Sequence, residues 1–165
     1  MSQRTFPRDY FAVDRGVTRA THACPDTVCA RCASHPDAHS VYRRGETTDK
    51  LPIIFTQPAE ASAYSDHVGI CAHFTALADT HHPAKWVWVF DADGLQLKHV
   101  VDPRTGVRLA VLLARRYHDS CEAIAILNAN AVVRWSLYVV TPFLGRSMHR
   151  RIHVFSREDE AARAG

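Results

Sequence analysis

Two apolar pentapeptides, WVWVF at residues 86–90 and AIAIL at residues 123–127, decide the fold of this 165-residue chain. Neither of them alternates between polar and apolar side chains, as a strand with one solvent-facing side would. Short, unbroken apolar runs are typical of strands that are covered on both faces, as in parallel sheets. We therefore expect both segments to be interior strands, with helices packed against both faces of the sheet.

The segments around these two runs alternate between strand and helix patterns. Asp102 is expected to cap a helix that begins near Pro103, and Pro142 is expected to break or kink a later helix. Alternating strands and helices predict an α/β fold with a mostly parallel sheet flanked by helices. Further strand patterns cover residues 51–56 and 152–155, and helical spacing covers residues 60–80, 103–117 and 131–140.

The first 49 residues differ from the rest of the chain. They contain few large aliphatic side chains and no sustained period, and polar residues and prolines are scattered between cysteines. We expect residues 1–49 to form an irregular arm, with a helical turn near residues 10–18, and residues 50–165 to form the compact domain. A short polar helix or tail is expected at residues 158–164.

Composition restricts the class of protein. Hydrophobic residues make up 47% of the chain and charged residues 22%, as in a globular domain. The longest apolar stretches are far shorter than a membrane helix, and the first residues lack a signal-peptide pattern. Because the number of cysteines is odd, a fully paired disulfide framework is excluded. We expect an intracellular protein of a reducing compartment, either cytoplasmic or organellar and peripheral to a membrane.

The basic residues are distributed unevenly. The net charge is only +3, but 17 of the 20 cations are arginine, and no acidic residue lies between Glu122 and Glu158. The guanidinium group matches the geometry of phosphate oxygens. An acid-free stretch with five arginines indicates a phosphate-bearing partner, either a lipid headgroup or a nucleic acid. These arginines are Arg134, Arg146, Arg150, Arg151 and Arg157.

A cluster of cysteine and histidine residues in the arm raises the question of a metal site. Cys24, Cys29, Cys32 and His35 are side chains of the types that bind zinc, but only Cys29 and Cys32 have the spacing of a standard ligand pair. The spacing also resembles that of a plant-type iron–sulfur site, yet a fourth cysteine at a suitable position is missing. We therefore expect incidental thiols, no bound metal and no change of melting temperature on chelation.

Catalytic motifs are absent from the sequence. No Gly-x-Ser-x-Gly nucleophile motif occurs, and no glycine-rich phosphate loop accompanies Asp91 and Asp93, which follow a predicted strand. Asp-x-Asp-Gly is ordinary turn chemistry. The sequence therefore predicts a protein that is not an enzyme.

Several short motifs follow one another in a fixed order from the first pentapeptide onward. The series is WVWVFDADG, a capped helix, Arg116-Tyr-His-Asp119, AIAILNAN, a helix that carries a tryptophan, Thr141-Pro-Phe-Leu144 and Arg150-Arg-Ile152. Each motif is weak alone, but the ordered set is fairly specific. The set resembles that of the CRAL-TRIO family of lipid-binding domains over about residues 51–156.

The resemblance assigns roles to individual residues. Asp119 and Arg151 occupy the positions that hold the inositol headgroup in phosphatidylinositol-binding members. Arg151-Ile-His153 is similar to a phosphoinositide-contacting segment of the tocopherol-transfer member. Residues 131–148 correspond to the mobile gate helix over the lipid. The implied lipid or headgroup site is Asp119, Arg146, Arg150, Arg151 and His153, and the implied gate and pocket residues are Trp135, Val139 and Phe143.

Two functions follow from this pattern. The first is non-enzymatic binding of a phospholipid, a phosphoinositide or another hydrophobic ligand at an anionic membrane, with no cofactor other than bound lipid and no nucleic-acid partner. The second is a degenerate domain that serves as a scaffold or accessory subunit in a larger, membrane-bound assembly. This second function stays open because His118, Asn130 and Thr141 depart from the family pattern. In addition, the family usually continues past the corresponding end of this sequence.

Overall fold

The two apolar pentapeptides lie side by side in the middle of a five-stranded sheet. A computed structural model describes residues 6–11 and 29–156 of the chain. The strands follow one another across the sheet in chain order, from β1 to β5. β1 pairs with β2 in antiparallel orientation, and all other neighbours are parallel. The strands are β1 (Val41–Glu46), β2 (Pro52–Thr56), β3 (Trp86–Asp91), β4 (Cys121–Ala129) and β5 (Ile152–Ser156).

The α/β class and the mostly parallel sheet are confirmed. Helices connect the parallel strands, and 3-10 turns occur at Arg8–Phe11 and Pro58–Glu60. The α-helices are α1 (Ala30–Ser34), α2 (His67–His81), α3 (Leu97–Val100), α4 (Arg104–Arg115) and α5 (Ala131–His149).

The connecting helices pack on one face of the sheet only. When parallel strands follow chain order and every crossover has the same hand, each crossover helix lies on the same side. Trp86 and Ile124 face this side and form one core with residues of α2, α4 and α5. Val87 and Ala125 face the other side, where Phe6 and Phe11 cover them.

β3 and β4 are therefore interior strands, as predicted, but the expectation of helices on both faces is wrong for the described residues. Their second face is covered by the segment of residues 6–11, which forms a 3-10 turn and contributes aromatic rings. An unbroken apolar strand shows that both faces are buried, not what buries them.

The predicted irregular arm contains regular structure. α1 and the whole of β1 precede residue 50, so the sheet begins before the predicted domain boundary. β1 carries Arg43 and Arg44, and polar residues of this kind are common on edge strands, where one side of the strand is open to water. A helical turn was predicted near residues 10–18, and the structure has a 3-10 turn at Arg8–Phe11. Residues 12–18 lie outside the described residues, and so does the helix or tail predicted at residues 158–164.

Helix boundaries differ from the predicted ones for local reasons. α2 begins at His67 rather than near residue 60, because Asp66 caps it by accepting a hydrogen bond from the backbone N–H of Gly69 at 3.1 Å. α5 continues through Pro142 and leaves helical geometry at Gly145, with φ 72° and ψ 161°. A side chain at this conformation would be strained, so glycine determines where the helix breaks.

Candidate functional site

A cavity of about 170 Å³ lies between the sheet and the helices α4 and α5. Its walls are mostly aliphatic and aromatic side chains, with few polar atoms among them. Such a lining suits an apolar ligand, because apolar surfaces gain free energy when they leave water. The sheet contributes Trp88, Phe90, Ile124 and Ile126, α4 contributes Leu109, Ala110 and Leu113, and α5 contributes Val133, Leu137 and Val140.

Small residues on α4 shape the cavity. Gly106 and Ala110 lie four residues apart, so both are on the same side of the helix. A Cβ atom at Gly106 would lie 2.9 Å from Cγ1 of Val140, so glycine allows α5 to approach closely at this point. The methyl group of Ala110 fills little of the space beneath α4 and α5, and part of this space stays open.

Some polar groups of β2, of β3 and of the segments that follow these strands also line the cavity. Nε1 of Trp88 donates a hydrogen bond to Oγ1 of Thr56 at 3.0 Å. The ring of His99 packs on Tyr64 with centroids 4.9 Å apart, and burial and the nearby Lys98 lower the pKa of His99. The cavity therefore combines a large apolar wall with a few polar groups, which matches an amphipathic ligand.

Asp102 also lines the cavity, in front of α4. Its side chain accepts hydrogen bonds from the side chain and the backbone N–H of Arg104, and these bonds lower the pKa of Asp102 to about 2. Pro103 rather than the predicted Asp102 is the N-cap of α4, and Asp102 accepts a hydrogen bond from the backbone N–H of Arg104 from the position before it. The carboxylate stays ionised and paired at neutral pH.

α5 forms the roof of the cavity. Val139 and Trp135 line the cavity, and 46% of Trp135 remains exposed to solvent. Phe143, the third predicted gate residue, is exposed to the same extent and does not line the cavity. Trp86 and Trp88 are buried in the core, so two of the three tryptophans fill the interior, as expected from the sequence.

The helical geometry of this roof is interrupted near the end of α5. Gly145 adopts a conformation that is accessible essentially to glycine alone, and no heavy atom lies within 4 Å of a Cβ built on it. The glycine is therefore needed for its backbone angles and not for close packing. Leu144 and Met148 on either side are buried and hold the two parts of the helix against the core.

The predicted headgroup residues do not line the cavity. Nη1 of Arg151 donates hydrogen bonds to the backbone carbonyls of His118 and Cys121, the latter at 2.6 Å, and so fixes the start of β4. Asp119 is highly exposed, and its carboxylate lies 2.9 Å from Nε2 of His118. Both predicted residues are thus near one another, at the amino-terminal edge of the parallel strands.

The other three predicted headgroup residues occupy two different surfaces. Arg146 and Arg150 are exposed at the end of α5. His153 lies on the opposite face of the sheet, with its ring 5.3 Å from that of Phe6 and 6.0 Å from that of Phe11, and burial lowers its pKa. The structure therefore does not bring all five residues into one site, and their role in headgroup binding stays a prediction.

Four other side chains converge in a second place. Cys29, Cys32, His39 and His73 each place a nitrogen or sulfur atom within 4.8 Å of the others. We call them the Cys/His cluster. Of the predicted metal candidates, Cys24 lies outside the described residues, and His35 is exposed with Nδ1 3.0 Å from Oγ of Ser34.

Sequence reasoning did not single out several of these positions. Gly106 and Ala110 could have been noticed as small residues on one side of a helix, but the pattern does not reveal an unfilled space. His39 lies in the same cysteine- and histidine-rich stretch as Cys29 and Cys32 and was visible there as a possible ligand. His73 follows only after β1, β2 and the first turn of α2, so its spacing from the other three residues carries no ligand signature.

An apolar cavity on one face of a mostly parallel sheet, roofed by a helix with a break at Gly145, defines a domain suited to an apolar ligand. The sequence profile of the CRAL/TRIO domain matches residues 42–163, and the protein belongs to this family. Membership implies lipid binding or lipid transfer, and proteins of this family are generally not enzymes. Of the helices that the structure describes, not one has the length and hydropathy needed to cross a membrane.

A solved structure agrees with this fold. The crystal structure of Sfh5 superposes with a TM-score of 0.55 at 10% sequence identity, covering 68% of this chain and 45% of the Sfh5 chain. The match thus spans less than half of that longer protein, and at this identity it supports the fold alone. A search of curated proteins found no match.

Proposed function

We propose that the protein is a non-enzymatic lipid-binding domain that holds an apolar chain in the cavity and works at the surface of an anionic membrane. The observation that carries this proposal is the apolar cavity between the sheet and α5, which lies under a helix with a break at Gly145. Lipid binding also agrees with the family to which the chain belongs.

The size of the cavity indicates how a lipid would enter. Its volume of about 170 Å³ is close to the ~150 Å³ of an apolar cavity that binds one benzene molecule. This space accepts a segment of an acyl chain but not a whole phospholipid. A complete lipid therefore requires α5 to move away from α4, and Gly145 is the position at which the backbone can change most easily.

The outer side of α5 supports contact with a membrane. Trp135, Tyr138 and Phe143 are exposed on it, and Tyr138 is 83% exposed. Aromatic side chains of this kind favour the interface between water and lipid. Arg134 and Arg146 are exposed on the same helix, and the acid-free stretch leaves them without an acidic neighbour in sequence. Each cation near an anionic leaflet contributes ~1 kcal/mol.

This surface refines the predicted headgroup site. Arg146 and Arg150 lie at the end of the roof helix and are the arginines that we assign to lipid phosphate. Arg151 already donates to two backbone carbonyls, so we assign it to the stability of the β4 region. The proposal also includes a preference for phosphoinositides over other lipids and a site of action at an intracellular membrane.

The experiment measures transfer of a fluorescent phospholipid from vesicles to the protein. Ala110→Phe places a ring in the cavity, and Ala114→Phe is the matched control, because Ala114 is half-buried on the same helix but does not line the cavity. We expect the wild type and Ala114→Phe to take up lipid and Ala110→Phe to lose uptake.

The melting temperature of Ala110→Phe shows whether the new ring fills the cavity or disrupts the fold. A ring that enters existing space changes stability little, whereas overpacking of a filled core costs ~1–3 kcal/mol. Uptake that is unchanged in Ala110→Phe would contradict the cavity as the lipid site. A wild type that takes up no lipid would instead favour the scaffold function, with the exposed side of α5 as its protein-binding surface.

A further inference from the structure

We propose that Cys29, Cys32, His39 and His73 form a structural zinc site next to the lipid cavity, which His39 also lines. All four ligand atoms lie within 4.8 Å of one another. Sγ of Cys32 is 3.2 Å from Nδ1 of His39 and 3.9 Å from Nδ1 of His73. In tetrahedral zinc sites, bond lengths near 2.3 Å for sulfur and 2.0 Å for nitrogen separate these atoms by about 3.6 Å. The observed distances lie on either side of this value.

Local structure brings the two cysteines together. Cys29 caps α1, and its carbonyl accepts hydrogen bonds from the backbone N–H groups of Cys32 and Ala33 at 3.2 and 3.3 Å. The turn that these hydrogen bonds close brings the two thiols together, with their sulfur atoms within 4.8 Å of each other. This geometry is the usual use of a CxxC pair in structural zinc sites.

The two histidines come from different parts of the chain. His39 lies in the turn before β1, and His73 lies in the second turn of α2, next to the core residue Phe74. The cluster thereby joins three segments that are separate in sequence: α1, the turn before β1, and α2. A metal that bridges distant segments contributes its binding free energy to folding.

A neighbouring carboxylate orients one of the histidines. Oδ2 of Asp66 lies 2.7 Å from Nε2 of His39. Because an ionised carboxylate only accepts hydrogen bonds, Nε2 carries the proton, and the lone pair of Nδ1 is directed towards Cys32. A carboxylate that holds a metal-binding histidine in this way is a common feature of zinc sites.

The surroundings leave no space for a larger residue beside this pair. A Cβ atom on Gly69 would collide with Nε2 of His39 and with Oδ2 of Asp66. The same Asp66 caps α2 through its other oxygen. The start of α2 and the orientation of His39 are therefore fixed by one side chain.

Burial fits a structural site. Cys32, His39 and His73 are only 4%, 3% and 3% exposed. Four protein ligands complete a tetrahedral shell, which is the arrangement of structural rather than catalytic zinc. This proposal departs from the interpretation of the thiols as incidental, which the sequence alone favoured.

The first experiment measures zinc in the purified full-length chain, produced in zinc-supplemented medium without chelators, by elemental mass spectrometry. We expect about one zinc per chain. Cys29→Ser and His73→Asn should lose the bound zinc. Cys71→Ser is the matched control, because Cys71 is a part-buried thiol on α2 outside the cluster, and it should keep the zinc.

The second measurement does not depend on whether the variants fold. The wild type is treated with a chelator and titrated with Co²⁺, and the visible absorption of a tetrahedral cobalt–thiolate site is expected. A wild type without zinc and without this absorption would overturn the proposal. So would a disulfide between Cys29 and Cys32 in the protein as purified, or a Cys29→Ser, Cys32→Ser double variant that still holds one zinc.

Discussion

The two ends of the helical layer differ, although both pack on the same face of the sheet. Under α2 the contacts are close: the ring of Phe74 lies 5.9 Å from that of Trp86 and 4.9 Å from that of Trp88, and Phe74 is fully buried. Under α5 a cavity remains, and Trp135 and Tyr138 face solvent. One sheet therefore supports a closely packed half, which we call the fixed half, and a half that contains empty space.

Polar contacts strengthen the fixed half. Near the end of α2, Asp79 accepts a hydrogen bond from the hydroxyl of Tyr117 at 2.7 Å and pairs with Arg116 at 2.8 Å. Burial, together with Asp79, raises the pKa of Tyr117 to about 12, so the phenol keeps its proton and continues to donate. The corresponding part of α5 contains the break at Gly145 instead. The difference lies in how each helix is held at its ends.

The largest expected effect is on stability, in the fixed half. Phe74→Ala removes a fully buried ring and leaves a cavity, which costs ~3–5 kcal/mol in the free energy of unfolding. Val139→Ala, in α5, should lower the free energy of unfolding by less than ~1.5 kcal/mol, because the side chain of Val139 already borders the cavity. Urea unfolding measures both variants. Equal losses would contradict the distinction between the two halves.

The second prediction concerns the break in α5. Gly145→Ala places a Cβ atom in a conformation that costs ~1–3 kcal/mol for residues other than glycine. We expect a lower melting temperature and a changed rate of lipid uptake, since the backbone at this point must rearrange. Ser147→Ala, at an exposed position of the same helix, is the control. A Gly145→Ala variant with the stability and the uptake rate of the wild type would contradict the proposed role of Gly145 as a hinge.

The third prediction tests the outer surface of α5. Arg146→Glu reverses one charge, which at ~1 kcal/mol per cation should weaken binding to anionic vesicles about tenfold or more. Lys50→Glu makes the same charge change in the turn between β1 and β2, at the other edge of the sheet, and should have little effect. Raised salt should weaken wild-type binding as well, because exposed charges are screened over about 10 Å at 0.1 M. Equal binding by the two variants in vesicle sedimentation would place the membrane contact elsewhere.

The smallest expected effect distinguishes the two roles of Arg151. Arg151→Lys keeps the charge but replaces the guanidinium that donates to the carbonyls of His118 and Cys121. We expect a loss of about 1 kcal/mol in stability and unchanged vesicle affinity. If affinity falls while stability is unchanged, Arg151 belongs to the headgroup site that the family resemblance implies.

Sequence patterns predicted the centre of the sheet because unbroken apolar runs have few alternative structures. They missed β1, whose arginines look like part of a loop until the pairing with β2 is known. The family resemblance implied a pocket with Trp135 and Val139, which line the cavity, but the helical pattern did not reveal the space beneath α4, since an apolar stripe shows which side of a helix is buried and not whether the space is filled. The cluster at His39 and His73 depends on long-range folding, which residue spacing does not encode.

Lipid in the cavity is the central claim, and native mass spectrometry of the purified protein tests it most directly. We expect a population whose mass exceeds that of the polypeptide by that of a lipid, which disappears after organic extraction and returns when the protein is incubated with vesicles. The Ala110→Phe variant should show only the lipid-free mass. A wild type that remains lipid-free before and after incubation with vesicles would contradict the account.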